Sequence, residues 1–293
     1  MKQTYGGLSW WGYAGLALFA VHVVLLFFPP IPPDIKGSLW WWLTAYIPVA
    51  LLLVETGRSW RVIVSAWGDH PRGRRFTGGL LLVLGVLIFG ATLRAYVPWL
   101  HEHFHREEGL FEPIMLYGYL ASAIVLFGHA RDLLGDERKN VRFIASLYLL
   151  LGLEEIDYFG IFGGIFGRVE GVYAGSLHDL ITLGARGVLS PTVWTIIAIV
   201  FVAVLVLVWW RGYLQPGRLL SLVGSTDFLW VSVAVGFVFA AAVTEVGLFG
   251  FQMAEPTLEE TLELCAALCF AFYALTLAAG PPPTIEGASD GSW

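Results

Sequence analysis

Long apolar stretches alternate with short polar connections along nearly the whole chain. A helix rises 1.5 Å per residue, so about 20 apolar residues cross the ~30 Å hydrocarbon core of a bilayer. Eight such stretches predict an all-α, polytopic transmembrane helix bundle. The predicted spans are residues 11–28, 39–54, 77–98, 110–129, 143–160, 191–210, 226–249 and 257–278. The second stretch is the shortest and the fifth is the most polar, so a total of seven or of nine spans is also consistent with the pattern.

Residues 1–280 are predicted to form a single transmembrane domain, because no polar connection is long enough to hold a soluble one. Residues 281–293 are predicted to be a disordered tail. The composition agrees, since 57% of the 293 residues are hydrophobic and 14% are charged. Three lysines against fourteen arginines suggest a bacterial source. The predicted location is therefore a prokaryotic inner (plasma) membrane, with membrane lipid as the surrounding partner.

The polar connections predict an orientation, because arginine and lysine favour cytoplasmic loops. The loops and span ends on one side of the membrane carry twelve basic and eight acidic residues, a formal charge of +4. Those on the other side carry five basic and fifteen acidic residues, a formal charge of −10. Both termini belong to the basic side and are predicted to be cytoplasmic. The acidic outer side attracts cations and repels anions, so nucleic acid is excluded as a partner.

The most unusual stretch is LGLEEIDYFGIFGG, where three carboxylates follow an apolar run. A helix starting at Phe143 would place Glu154 about 16 Å along its axis, near the middle of the bilayer. An ionised carboxylate facing lipid at that depth costs at least ~2.5 kcal/mol. Glu154, Glu155 and Asp157 are therefore predicted to face protein or water, or to be protonated.

The alternating direction of the spans brings further polar residues to the same outer half. Glu259 and Glu263 are four residues apart and Glu260 and Glu263 three apart, so each pair projects from one helix face. Carboxylates with a histidine are ligand types of a divalent metal site. The predicted metal ligands are Glu154, Glu155, His178, Glu259, Glu260 and Glu263. The predicted catalytic groups are Asp157, Glu155 and His178, with Arg94 as a charge partner.

Each of these residues also has a simpler interpretation. Glu154 and Glu155 are also consistent with a structural ion pair to Arg94, and Glu259 and Glu260 with carboxylates that meet the positive end of a helix dipole. A secondary candidate is the loop sequence HEHFH, in which His101, His103 and His105 alternate. Imidazoles at such spacing can hold copper or zinc, although a solvated loop explains them as well.

The motifs also carry a resemblance. Glu154-Glu155-Ile156, a polar residue and an aromatic one are followed some twenty residues later by Leu177-His178-Asp179. This resembles uncharacterised bacterial multi-pass membrane proteins with an EEI, serine, tryptophan motif and a later LHN. The resemblance covers about thirty residues and implies that Glu154, Glu155 and His178 belong together. It implies no reaction, and Asp157 in place of serine would change the charge of a shared site.

Three functions are consistent with this pattern. The first is a metal-dependent enzyme acting on a lipid or other amphiphilic substrate, with a divalent metal ion as cofactor. The second is a cation- or proton-coupled transporter that uses the same acids. The third is a non-catalytic subunit of a membrane complex, packed against partner helices or a second copy of the chain. A site on one side of the membrane favours the enzyme, because a relay needs acids on both sides.

Overall fold

The computed structural model describes residues 8–27, 39–97, 110–155, 168–169, 172–173, 180, 183–184, 187–211, 228–246 and 256–280. Within these residues the protein is all-α apart from one short hairpin. Its helices are α1 (Trp10–Phe27), α2 (Leu39–Gly68), α3 (Arg72–Tyr96), α4 (Phe111–Asp132), α5 (Gly135–Glu154), α6 (Pro191–Trp210), α7 (Phe228–Val246) and α8 (Pro256–Ala279). The hairpin pairs β1 (Arg168–Val169) with β2 (Val172–Tyr173) in antiparallel register, Arg168 opposite Tyr173.

Each predicted span overlaps one of these helices. Four segments in the described residues are long and apolar enough to cross a membrane, namely Gly73–Leu93, Phe111–Asp132, Pro191–Trp210 and Leu258–Ala279. Trp10–Leu25 and Leu229–Val243 are apolar but shorter. The fold is therefore that of a helical protein with several candidate membrane helices, while the number of spans and the side of the termini stay predictions. The predicted tail, residues 281–293, lies outside the described residues.

Two helices extend beyond the apolar runs that predicted them. The helix α2 continues fourteen residues past Val54 because its first polar groups find partners within the bundle. Glu55 accepts hydrogen bonds from Ser9 and Ser59, and Thr56 is 3.0 Å from the Tyr117 hydroxyl. Polar residues that are satisfied in this way do not end a helix.

The helix α5 begins at Gly135, so the premise of a helix starting at Phe143 is wrong. Gly135 has a positive φ of 59°, which forms the turn after α4, and Asp136 and Glu137 then occupy the first turn. Acidic residues stabilise that position because the N-terminal end of a helix dipole is positive. Glu154 therefore lies at the end of this helix, about 28 Å from its start, while its depth in the membrane stays a prediction.

The helix α8 lies at the centre of the bundle and packs against α2, α3, α4 and α7. In addition, α4 packs against α2 and α5, and α1 against α2. Cys265 and Cys269 on α8 are free and fully buried, and they pack in the core as small apolar side chains do. His22 is likewise buried, with Nδ1 3.2 Å from the Thr44 hydroxyl. By contrast, α6 buries none of its residues.

Candidate functional site

One end of the bundle collects carboxylates from three helices. There α4 begins with Glu112 in its first turn, α5 ends at Glu154 with Glu155 as its C-cap, and α8 begins with Glu259 in its first turn. The three helices are adjacent because α4 packs against both α5 and α8. We call this region the acidic end, defined by Glu112, Glu154, Glu155, Glu259, Glu260 and Glu263.

Glycines allow the helices to approach closely beside the acidic end. A Cβ on Gly152 of α5 would lie 2.7 Å from Cδ2 of Leu120 and 3.3 Å from Cβ of Tyr119, both on α4. A Cβ on Gly90 of α3 would lie 2.5 Å from Oγ1 and 2.6 Å from Cγ2 of Thr261 on α8. Both contacts are closer than a side chain permits. Glycine at these two positions therefore sets how tightly α3, α4, α5 and α8 converge.

The carboxylates at the acidic end influence one another electrostatically. The charges of Glu112, Glu263, Glu259 and Glu155 all act on the carboxyl group of Glu260. Those of Glu155 and Glu263 also act on the hydroxyl of Tyr119, a buried residue of α4. Like charges this close repel one another strongly where water is excluded. The arrangement is therefore favourable only if some of the charge is neutralised.

Among the carboxylates of the acidic end, Glu260 has a buried oxygen whose lost hydration no hydrogen bond from a described residue replaces. Its side chain is half-buried, but its Oε2 atom is shielded from solvent and has no hydrogen-bond partner among the described residues. A buried, unpaired carboxylate costs several kcal/mol, since it loses its hydration and gains nothing in return. A proton or a bound cation would remove that cost.

The structure brings some of the predicted site residues together. Glu155 on α5 and Glu259 and Glu263 on α8 lie close enough to Glu260 for their charges to act on its carboxyl group. Glu154 adjoins them as the last residue of α5. Glu154, Glu155, Glu259 and Glu263 each have further interactions of their own. Whether these residues form one shared site with Asp157 and His178 stays a prediction, because those two residues lie outside the described part.

Other predicted site residues fall outside the described part. Asp157, His178, His101, His103 and His105 lie in segments that the structure does not describe. The backbone of Arg94 belongs to α3, one helical turn beyond the contact of Gly90 with Thr261, but its side chain is not described. The roles of these residues therefore stay predictions.

A preformed metal site is not seen in the described part of the chain. Among those residues, no group of three or more histidine, cysteine, aspartate or glutamate side chains is arranged to hold a metal ion. Two of the predicted participants, Asp157 and His178, were not among the residues available for such a group. The complete ligand set therefore also stays a prediction.

Sequence reasoning missed Glu112 and Tyr119 as neighbours of the site. The charge count of the sequence includes Glu112 only as one of the fifteen acidic residues of the outer side. The direction of α4 was the available signal, because α4 and α8 both begin where α5 ends. A carboxylate in the first turn of α4 must then lie at the same end of the bundle as the first turn of α8. Tyr119 carried no comparable signal, since a buried tyrosine resembles any other aromatic core residue.

Comparisons with known proteins add no relative from which a function could be transferred. No protein-family model, curated protein or solved structure matches the chain. The class of the protein is therefore defined by its fold alone. It is an all-α protein whose described residues include four helices long and apolar enough to cross a membrane.

Proposed function

We propose that the acidic end binds a cation, and that the protein is a membrane-embedded, metal-dependent enzyme acting on a lipid or other amphiphilic substrate. The observation that carries this proposal is the Oε2 atom of Glu260, buried without a hydrogen-bond partner among the described residues. Four other carboxylates act on the same group. A cation coordinated there would relieve both the burial cost and the mutual repulsion.

The chemistry of the available groups favours a hard divalent ion. The described side chains of the acidic end offer carboxylate oxygens, which Mg²⁺, Mn²⁺ and Ca²⁺ prefer. Glu112, Glu155 and Glu260 come from α4, from the C-cap of α5 and from α8, so a ligand set built from them would join three helices. With His178 as a further ligand, as predicted, the ligand set would also suit Zn²⁺ or Fe²⁺.

The proposed reaction is hydrolysis at this metal. A bound divalent metal supplies an activated water molecule or a Lewis acid. In this proposal Asp157, if it is not a ligand, acts as general base, and His178 serves as ligand or proton donor.

The surface of α5 supports an amphiphilic substrate. The buried stripe of this helix consists of Val141, Ala145, Tyr148 and Gly152 and faces α4. Leu147, Leu150 and Leu153, which precede Glu154 and Glu155, are instead 43%, 57% and 40% exposed. Exposed leucines on a membrane helix contact acyl chains. A lipid lying against them would have its polar group beside the carboxylates.

The transport alternative receives less support. A relay would need an acid in the other half of the bundle, and Glu55 is the acid that α2 contributes there. Glu55 is buried and accepts hydrogen bonds from the backbone N–H and hydroxyl of Ser9 and from the hydroxyl of Ser59. These bonds join the start of α1 to α2. Glu55 thus has a structural role that accounts for its burial.

Metal analysis of the purified protein tests the proposal directly. We expect one Mn²⁺ or Ca²⁺ per chain by elemental analysis, with affinity falling at least about tenfold in Glu260→Gln, which keeps the shape and removes the charge. Glu137→Gln is the matched control, because Glu137 is exposed in the first turn of α5 at the opposite end of that helix. His178→Ala tests the imidazole. Equal metal content in Glu260→Gln and Glu137→Gln would contradict the proposal.

A further inference from the structure

A second site of opposite charge lies where α2 ends and α3 begins. We call residues 68–75, Gly68 to Arg75, the arginine turn. Arg75 folds back from the first turn of α3, its Nε donating to the carbonyl of His70 at 2.6 Å and its Nη2 to the carbonyl of Gly68 at 3.3 Å. The Gly68 carbonyl is the last of α2, at the negative end of the helix dipole, where carbonyls lack helical partners, and His70 lies in the turn that follows. Arg75 therefore caps α2.

The two capping hydrogen bonds use Nε and Nη2 of Arg75 but not Nη1. The residue is only 5% exposed, and its Nη1 atom is buried without a hydrogen-bond partner among the described residues. An arginine presents its donors in a planar fork that matches the oxygens of a carboxylate or phosphate. A buried guanidinium with a free donor group is costly unless an anion completes it.

The start of α3 likewise lacks a side-chain cap and an acidic residue. Its N-cap residue, Pro71, makes no side-chain capping bond, and the first turn contains no acidic residue. Instead Arg72, Arg74 and Arg75 occupy this turn. Positive side chains at the positive end of a helix dipole are unfavourable by about 0.3–1 kcal/mol each, whereas the free N–H groups there bind anions. The helix start and the Arg75 guanidinium thus indicate the same ligand charge independently.

The residues that connect α2 and α3 are exposed to solvent. Asp69, His70 and Pro71, which connect the two helices, are all exposed. Asp69 is the acidic residue of this connection and has an interaction of its own. The backbone at Gly68 lies beside Ala279 near the end of α8, with 3.6 Å between a Cβ built on Gly68 and that of Ala279.

We propose that the arginine turn binds a phosphate group, held by Nη1 of Arg75 and by the free N–H groups at the start of α3. The phosphate chemistry is shared by an anionic lipid headgroup and by free phosphate. The loop charges predict that this turn faces the cytoplasmic leaflet, where anionic lipids accumulate and bind basic pockets between membrane helices. The lipid headgroup is therefore the expected source.

Lipid retention in nanodiscs tests the site with the full chain. Phosphatidylglycerol is titrated into phosphatidylcholine nanodiscs, and the retained lipid is counted by native mass spectrometry. We expect wild type to retain one phosphatidylglycerol, and Arg75→Lys, which keeps the charge but loses the fork, to bind it about tenfold more weakly. Arg74→Gln is the control, since Arg74 is exposed in the same turn. Equal weakening in both variants, or none in Arg75→Lys, would overturn the proposal.

A second variant covers the case in which Arg75→Lys fails to fold. Gly73 lies in the first turn of α3, and a side chain there would meet nothing within 4 Å. Gly73→Asp supplies an internal anion at the helix start, so we expect a folded protein that no longer retains phosphatidylglycerol. Unchanged retention would overturn the proposal. Inorganic phosphate in phosphatidylcholine nanodiscs separates the sources, because stabilisation of wild type without lipid retention supports the site with free phosphate as its ligand.

Discussion

The acidic end and the arginine turn each bury one polar atom that no described residue pairs, Oε2 of Glu260 in the first and Nη1 of Arg75 in the second. They differ in how they are built. The acidic end draws its carboxylates from the starts of α4 and α8 and from the end of α5. The arginine turn is a single stretch of eight residues that runs from the last residue of α2 into the first turn of α3. One site therefore depends on the packing of the bundle, and the other on local chain geometry.

This difference has an energetic consequence. Any change in how α3, α4, α5 and α8 converge alters the distances among the carboxylates, and with them the repulsion at Glu260. The arginine turn is held instead by hydrogen bonds from Arg75 to carbonyls only five and seven residues away. Packing defects should thus disturb the acidic end well before they disturb the arginine turn.

The largest expected effect comes from Gly90→Ala. A Cβ there would lie 2.5–2.6 Å from the side-chain Oγ1 and Cγ2 of Thr261, a stiff β-branched residue that is fully buried. We expect a loss of about 2 kcal/mol in the free energy of unfolding in mixed micelles, as for other overpacked cores. We also expect weaker cation binding but unchanged phosphatidylglycerol retention.

Gly85→Ala on the same helix is the matched control for this change. A Cβ at Gly85 meets nothing within 4 Å. We expect that variant to be neutral or more stable by up to about 1 kcal/mol, because alanine favours a helix over glycine. If Gly90→Ala weakened both ligands equally, the two sites would not be independent.

A smaller effect is expected from Glu260→Gln in metal-free protein. Removal of a buried unpaired charge should raise the free energy of unfolding by about 1 kcal/mol. Residues 260 and 279 are about 28 Å apart along α8, so this gain should add to the effect of Arg75→Lys within about 0.5 kcal/mol in the double variant. A larger deviation in chemical unfolding experiments would show that the two ends are coupled.

The smallest effect is expected from Asp132→Asn, which removes the ion pair between Asp132 and Arg61. The two charged groups are 3.1 Å apart, but their side chains are 50% and 69% exposed. Exposed ion pairs contribute about 0–1 kcal/mol, so we expect little change in the thermal midpoint. Added salt should reduce that change further. A loss as large as that in Gly90→Ala would contradict the distinction between exposed and buried charges.

Hydrophobic patterning predicted a helix at every place where the described residues have a long one, because about 20 consecutive apolar residues leave few alternatives. It misjudged the ends of α2 and α5. Both helices contain charged segments, and an apolar pattern cannot register a helix that continues through Glu55 or begins among Asp136 and Glu137. Those limits depend on hydrogen-bond partners and on a turn at Gly135.

The sequence by itself determined the helical architecture, the separation of charge along the chain and the three arginines at the start of α3, since these follow from residues close together in the chain. Only the tertiary structure decided that Glu112 joins Glu155 and Glu260, and that one oxygen of Glu260 is buried while its neighbours have other interactions. The reason is physical. Which carboxylates meet depends on how closely helices approach at Gly90 and Gly152, and that approach is set by contacts between residues far apart in the sequence.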